Sequence, residues 1–317
     1  MQSKISFIAP CYNGESYIKR FLDSILNQTY NNVQLVIIND GSEDDTEKIL
    51  TEYEKDFFER GFEYIHLNQE NKGIGGAIND ALKHVTGEYM TWFGTDDFAC
   101  ETYAEELVSF LDNHKEFAVV RNDGFLVREG EIDKVIGRMS DGNNDKHNPH
   151  LFENAIMERN FHFGYSVVRM SVFDLVNPKR EIYPSRQGQN WQLLLPIFYH
   201  YKSAFYEKPL YYVIDDSNSV SREPLKSYDK LMRVTDEYEK ILVNVLNGME
   251  IPDRQKYLDM VKVKYLRYRM MHGINFGHYD TVISNYKALK KITKITISDR
   301  KKYWRAKLPF INRLIKK

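Results

Sequence analysis

Short apolar runs alternate with polar, glycine-bearing clusters through the first hundred residues of this chain. Lys4–Ala9, Val33–Ile38, Phe62–Leu67 and Tyr89–Phe93 each have the length and composition of a strand buried on both faces. Ser16–Gln28, between the first two runs, repeats its apolar residues at helical spacing, and Glu101–Asn113 does so after the fourth. The polar clusters are residues 10–15, 39–46, 71–79 and 94–97, one after each predicted strand. Open α/β sheets place their ligands at the C-terminal ends of their strands. The pattern therefore predicts a mostly parallel sheet with a ligand site along one edge.

The middle of the chain is less regular. Phe117–Val127 and Glu131–Ile136 predict a hairpin around Arg128-Glu129-Gly130. Residues Arg138–Pro149 are polar and predict a mobile loop that closes over a ligand. A helix over His150–Arg159 and an apolar stretch, Tyr165–Phe173, follow. From Leu225 the spacing is helical, over Leu225–Leu246, Asp253–Ile274, Tyr279–Ile292 and a basic C-terminal segment. Two regions are expected, 1–222 and a helical appendage over 223–317.

The clusters carry candidate chemistry. Asp96-Asp97 at a strand end suits a hard divalent cation shared with phosphate oxygens, although such a pair also serves as a turn or helix cap. Gly73, Gly75 and Gly76 do not form G-x-G-x-x-G after a first strand, so a dinucleotide-binding fingerprint is absent. Pro10–Glu15 is no glycine-rich phosphate loop bearing Lys or Arg, which counts against a nucleotidyltransferase. His147, His150 and His162 lack metal-ligand spacing.

Pro10-x-Tyr12-Asn13-x-Glu15, Asn39-Asp40-Gly41-Ser42-x-Asp44-x-Thr46, Asn71-x-Gly73 with Asn79, and Asp96-Asp97 together resemble family 2 glycosyltransferases of the GT-A fold. The resemblance covers about the first 100 residues, in the family's order and spacing. It implies a Rossmann-like, mostly parallel sheet flanked by helices, and a UDP-sugar donor. Asp40 would then hydrogen-bond the base, and the Pro10–Asn13 loop would line the base and ribose pocket. Glu15, Asn71, Gly73, Asn79 and Asp96 would complete the nucleotide-sugar site. Asp97 and Asp96 would hold Mn²⁺ or Mg²⁺ on the diphosphate. Many relatives carry a further Asp two positions before the pair, where this chain has Gly94, which implies a thinner metal shell.

The resemblance breaks at the catalytic base. Inverting members carry Glu-Asp before a Trp on an acceptor-side helix, and here the matching residues are Gln189-Asn190-Trp191. An amide takes no proton at neutral pH, so general-base catalysis, typically about 10²–10⁴-fold, would be missing there. Asn190 is left to orient an acceptor hydroxyl. Asp215 and Asp216 are the substitute carboxylates, with a loop cap as their alternative. A catalytically silent nucleotide-sugar or glycan-binding subunit is the competing function.

Composition adds one asymmetry. The formal net charge is −1 over 317 residues, yet Arg254–Lys317 holds 18 Lys or Arg against three Asp. Such segregation predicts a basic surface for a polyanion. No RNA-binding or zinc-finger signature points to nucleic acid. Tyr303, Trp304, Leu308 and Phe310 are interleaved with the basic residues, as in a helix lying on anionic lipid, although Pro309 should kink it. A packed helix with a solvated basic face, or a homodimer contact, is the alternative. Cys11 and Cys100 form no disulfide framework. The N-terminus lacks a basic-then-apolar signal, and no uncharged apolar run approaches about 18 residues. A cytoplasmic protein, peripheral at the inner membrane face and acting on a glycan or lipid-linked acceptor, is expected.

Overall fold

The computed structural model describes residues 2–143, 145–159, 163–215 and 227–315, the last seven of these by backbone alone. The chain divides into two units, Met1–Asp216 and Ser217–Lys317.

In the first unit the elements run β1 (Ile5–Cys11), α1 (Ile18–Leu26), β2 (Val33–Asp40), α2 (Thr46–Glu52), α3 (Glu54–Arg60), β3 (Glu63–Gln69), α4 (Gly73–Leu82), β4 (Tyr89–Trp92) and β5 (Phe98–Ala99). They continue as α5 (Tyr103–Asn113), β6 (Phe117–Val127), β7 (Gly137–Arg138), α6 (Phe152–Met157), β8 (Ser166–Arg169), α7 (Met170–Val176), α8 (Gln189–His200) and β9 (Lys202–Ile214). The described strands form one mixed sheet in the order β3-β2-β1-β4-β8-β6-β9-β5, with β7 beside β6. The first four in that order are parallel, as the apolar runs predict. Strand β8 then joins antiparallel to both β4 and β6.

Burial explains the parallel half. Every residue of β2 is buried, and β1 is buried except at Pro10. Such strands need helices on both faces. Phe7, Phe21, Phe93 and Tyr103 pack their rings together between the sheet and helices α1 and α5, with Phe93 edge-on to Tyr103 at 5.2 Å. The core thus fixes the end of β4, and with it the start of the Asp96-Asp97 cluster.

Two expectations fail in the middle of the chain. The hairpin partner of β6 is Gly137–Arg138 and not Glu131–Ile136, with Leu126 opposite Gly137. Ile132, Val135 and Ile136 stay exposed, so their apolar character has no face to pack against and builds no strand. The segment over 138–149, where a mobile loop was expected, is bonded to the core at residues 140 and 146. Buried Asp123 accepts the Ser140 backbone N–H at 3.0 Å and its hydroxyl at 2.8 Å. Arg121, also buried, donates to the Lys146 carbonyl at 2.7 Å. Polar composition did not reveal that two core side chains reach out to satisfy this backbone.

The second unit is helical: α9 (Tyr228–Gly248), α10 (Arg254–Phe276), α11 (Tyr279–Ile292) and α12 (Ile297–Ile315). Leu266, Met270 and Ile274 pack against Val282, Leu289 and Ala306, so α12 belongs to this small core. Asp299, at 2% exposure, pairs with Arg267 and so pins α12 at its start. A Cβ at Gly273 would lie 2.8 Å from Val282 and 2.9 Å from the His278 carbonyl, so α10 and α11 approach closely only because this residue is glycine.

Candidate functional site

The loops after β1 and β2 are stitched together residue by residue. The N–H groups of Asn13, Gly14 and Glu15 donate to Ser42 Oγ, Thr46 Oγ1 and Asp44 Oδ2 at 2.9, 2.7 and 3.0 Å. In return Asn13 Oδ1 and Glu15 Oε2 accept the N–H groups of Glu43 and Asp45. Burial works against the Asp44 carboxylate, but bonds from Thr46 and the Glu15 N–H hold its pKa below the ordinary range. Asn13 and Glu15 thus brace the loops. Beneath them, burial pushes the Cys11 thiol up to about 12. Tyr12, beside the half-buried Pro10, is left 47% exposed, a ring on a rigid mount.

Asp40 ends β2 and is only 3% exposed. Its carboxylate accepts from Gln69 Nε2 at 2.6 Å and from the N–H groups of Lys72 and Gly73 at 2.8 Å each. It therefore satisfies the first turn of α4, where a negative charge also meets the helix dipole. Further into that turn, the Gly75 N–H is taken by the Ser185 carbonyl at 2.9 Å. A Cβ at Gly75 would lie 2.7 Å from Ser185 N, so the strap 182–187 lies directly on the helix start. Asn79 holds the same strap, with its amide paired to both the N–H and the carbonyl of Ile182 at 2.7 and 2.9 Å. Gly73, at φ +76°, makes the turn into the helix, and Asn71 beside it is exposed. The glycine cluster opens α4, and the N–H groups of Gly73 and Gly75 are spent on protein.

The two adjacent carboxylates differ sharply. Asp96 is exposed, and its carboxylate meets the local N–H groups of residues 96 and 97 and the charge of Arg20. Protein atoms crowd it on its inner side and raise its pKa. Asp97 is 8% exposed and accepts the Tyr165 hydroxyl at 2.6 Å and the Ile214 N–H at 2.9 Å. Burial and then the neighbouring Asp96 charge push Asp97 up to about 7, despite those two bonds. Tyr165 stacks on Phe93 with ring centres 3.9 Å apart. Nothing in its apolar surroundings in the sequence marked it as a partner of Asp97. Gly94 also has a reason here: a Cβ would sit 2.7 Å from Asp96 Oδ1 and 3.3 Å from the Tyr165 hydroxyl.

Among the described residues, no three His, Cys, Asp or Glu side chains converge as a metal cage. Of the adjacent pair that the strand end presents, Asp96 is the exposed member and Asp97 the buried one. This set fits Mg²⁺ or Mn²⁺ held chiefly by diphosphate oxygens and one carboxylate, the usual mode for such ions. It does not fit an all-protein site.

Asn190 opens α8, and its Oδ1 accepts the indole N–H of Trp92 at 2.6 Å. That bond ties Asn190 to the last residue of β4; Trp92 itself was read only as part of a strand. Asp215 donates its N–H to the Val127 carbonyl at 2.7 Å, which ties it to β6. Asp216 and His162 lie outside the described residues. His147 meets Glu207 at the surface, 2.5 Å away.

Strand-end loops around an exposed ring and an exposed carboxylate, on a sheet of this order, form the kind of ligand site that open α/β sheets carry. The sequence profile of Glycosyl transferase family 2 matches residues 6–229. This chain is therefore a family 2 glycosyltransferase, with the GT-A fold. Glycosyltransferase GlyA of Streptococcus pneumoniae is 30% identical over 188 residues, which are 59% of this chain and 25% of that protein. The chain likewise spans about a third of a Rickettsia prowazekii glycosyltransferase, RP339, at 36% identity over 108 residues and 34% of this chain. EpsE of Bacillus subtilis matches at 28% over 229 residues, 69% of this chain and 76% of that one. Among solved structures, Staphylococcus aureus TarS 1-349 in complex with UDP superposes with a TM-score of 0.62 at 15% identity, covering 90% of this chain and 81% of that one. The mannosyltransferase PcManGT of Pyrobaculum calidifontis, in complex with GDP-Man and Mn²⁺, gives 0.55 at 13% identity, covering 93% and 77%.

Proposed function

We propose that the chain transfers a sugar from a UDP-sugar to a hydroxyl of a glycan or lipid-linked glycan, with inversion and with Mn²⁺ or Mg²⁺. The observation that carries this is the pairing of exposed Tyr12 after β1 with exposed Asp96 after β4. These strands are neighbours, and the loop after β1 is braced by the loop after β2. Tyr12 offers a face on which a base stacks. A divalent cation supplies charge to neutralise the departing diphosphate when bound. The residue that would hold it is Asp96, while Asp97, tied to Tyr165 and the Ile214 N–H, keeps the turn in place. Asp40 shapes the base pocket from below, by holding the 69–73 turn and the start of α4. TarS structures with UDP and with UDP-GlcNAc support a uridine donor.

Calorimetry of UDP with and without Mn²⁺ tests the reading. Wild type is expected to bind UDP more tightly with the metal, and Asp96→Asn to lose that increment while keeping its melting temperature. Metal-dependent affinity that survives in Asp96→Asn sinks the assignment. Asn190, in place of a general base, favours the silent binding subunit as second reading. That reading predicts UDP binding with no UDP released from any UDP-sugar.

The basic C-terminal unit is the proposed membrane-facing part, at the cytoplasmic surface. Its α12 exposes Ile297, Trp304 and Leu308, at 75%, 59% and 54%, together with Lys301 and Arg305. Among the described residues no helix is long and apolar enough to cross a membrane.

A further inference from the structure

The first turn of α8 is locked by three side chains that reach three different segments. Trp191 donates its indole N–H to the Ala155 carbonyl of α6 at 3.0 Å. Gln192 is engaged at both ends by the Tyr183 backbone, at 2.7 and 3.2 Å. Asn190 accepts from Trp92, the last residue of β4. An indole N–H can only donate, so the Asn190 atom facing it must be the carbonyl oxygen. The Nδ2 group is thereby turned away from Trp92. Among the described residues it bonds to no protein atom. Trp92 is 3% exposed and Asn190 half-buried, so the lock is internal and the amide group it presents is not. Gly94, Thr95 and Asp96 follow Trp92 closely, which puts this amide at the strand end that carries the outward carboxylate.

We infer that Trp92 is a positioning residue that fixes Asn190 as a hydrogen-bond donor toward the attacking oxygen of the acceptor, which residue 190 holds and does not deprotonate. The inference rests on the UDP-sugar transferase reading above. The amide nitrogen takes no proton at neutral pH, and the carbonyl oxygen is held by the Trp92 N–H. What such a group recognises is an oxygen with a free lone pair, a hydroxyl or a water standing in its place. An Asp at 190 would keep the Trp92 bond through one oxygen. Its second oxygen would stand where Nδ2 now points, as a base facing the same atom.

The test is UDP release from UDP-N-acetylglucosamine, UDP-glucose and UDP-galactose with water as the only acceptor. Asn190→Asp is expected to speed release from at least one of them about tenfold or more, given what a placed base typically contributes. UDP affinity by calorimetry should stay at the wild-type value. In a Trp92→Phe background, where the side chain at 190 is free to turn, most of that gain should vanish. Release by Asn190→Asp equal to wild type, at intact UDP affinity, overturns the proposal. So does a gain that Trp92→Phe leaves undiminished. The first comparison stands even where Trp92→Phe does not fold. Failure of the donor reading looks different: wild type then binds no UDP at all.

Discussion

Asp40→Ala should cost stability as well as nucleotide affinity, and the size of the cost follows from what Asp40 holds. Its carboxylate accepts the N–H groups of Lys72 and Gly73 and the amide of Gln69. Alanine leaves the Gly73 N–H buried without an acceptor, at about 1–3 kcal/mol. Lys72 lies at the surface, so water reaches its N–H and that loss is smaller, below about 1 kcal/mol. Gln69 can turn to solvent at little cost. Removing an acid from the positive end of α4 adds about 0.3–1 kcal/mol. The total is about 2–4 kcal/mol, which should lower the urea midpoint by roughly 1 M at the m-values of a domain this size. UDP affinity should fall too, because the 69–73 turn loses its anchor. Urea denaturation read by fluorescence, beside calorimetry with UDP, separates the two effects. A variant that unfolds at the wild-type midpoint yet loses UDP would refute this reasoning and make Asp40 purely a reader of the base.

Two further outcomes are expected. Asp97 keeps its proton up to about pH 7 in the folded chain but loses it in the ordinary carboxylate range when unfolded. Between those values the folded state holds the extra proton, so this residue lowers stability as pH rises, by up to about 1.4 kcal/mol per pH unit. With chelator present, Asp97→Asn should therefore gain on wild type between about pH 5 and pH 7.5, and parallel stability curves would refute it. Replacing Trp304, Lys301 and Arg305 together by alanine should weaken association with anionic vesicles. The two charges alone contribute about 2 kcal/mol, roughly thirtyfold, and the difference should fade with salt. Equal co-sedimentation of variant and wild type at low salt counts against a lipid-facing role. Deleting α12 is the wrong experiment, since Ala306 and Asp299 are part of the core of that unit.

The parallel half of the sheet was legible because buried strands and their ligand-bearing ends write themselves as apolar runs closed by polar clusters. The family pattern was legible for the same reason. Partnership across the sequence was not. Composition showed two equivalent acids at 96 and 97, but which one turns inward depends on Tyr165, 68 residues away from Asp97. Asp40 looked free to meet a ligand because its donors, Lys72 and Gly73, lie on the next strand's loop. The 131–136 stretch failed in the opposite direction. Its β-branched residues suggest a strand, yet Ile132, Val135 and Ile136 all stay exposed.

The strap 182–187 carries a consequence for how such an enzyme can be altered. It is bonded to α4 through Ser185 and Ile182, and Tyr183 grips Gln192 of α8. One short segment therefore sets the registration of two helices, one on the side proposed for the nucleotide and one on the side proposed for the acceptor. Any change that reseats the first will drag the second with it. Exchanging donor preference between relatives by grafting the 71–79 loop alone should misalign the acceptor helix. A graft that carries 71–79 and 182–192 as one piece preserves the gearing between them.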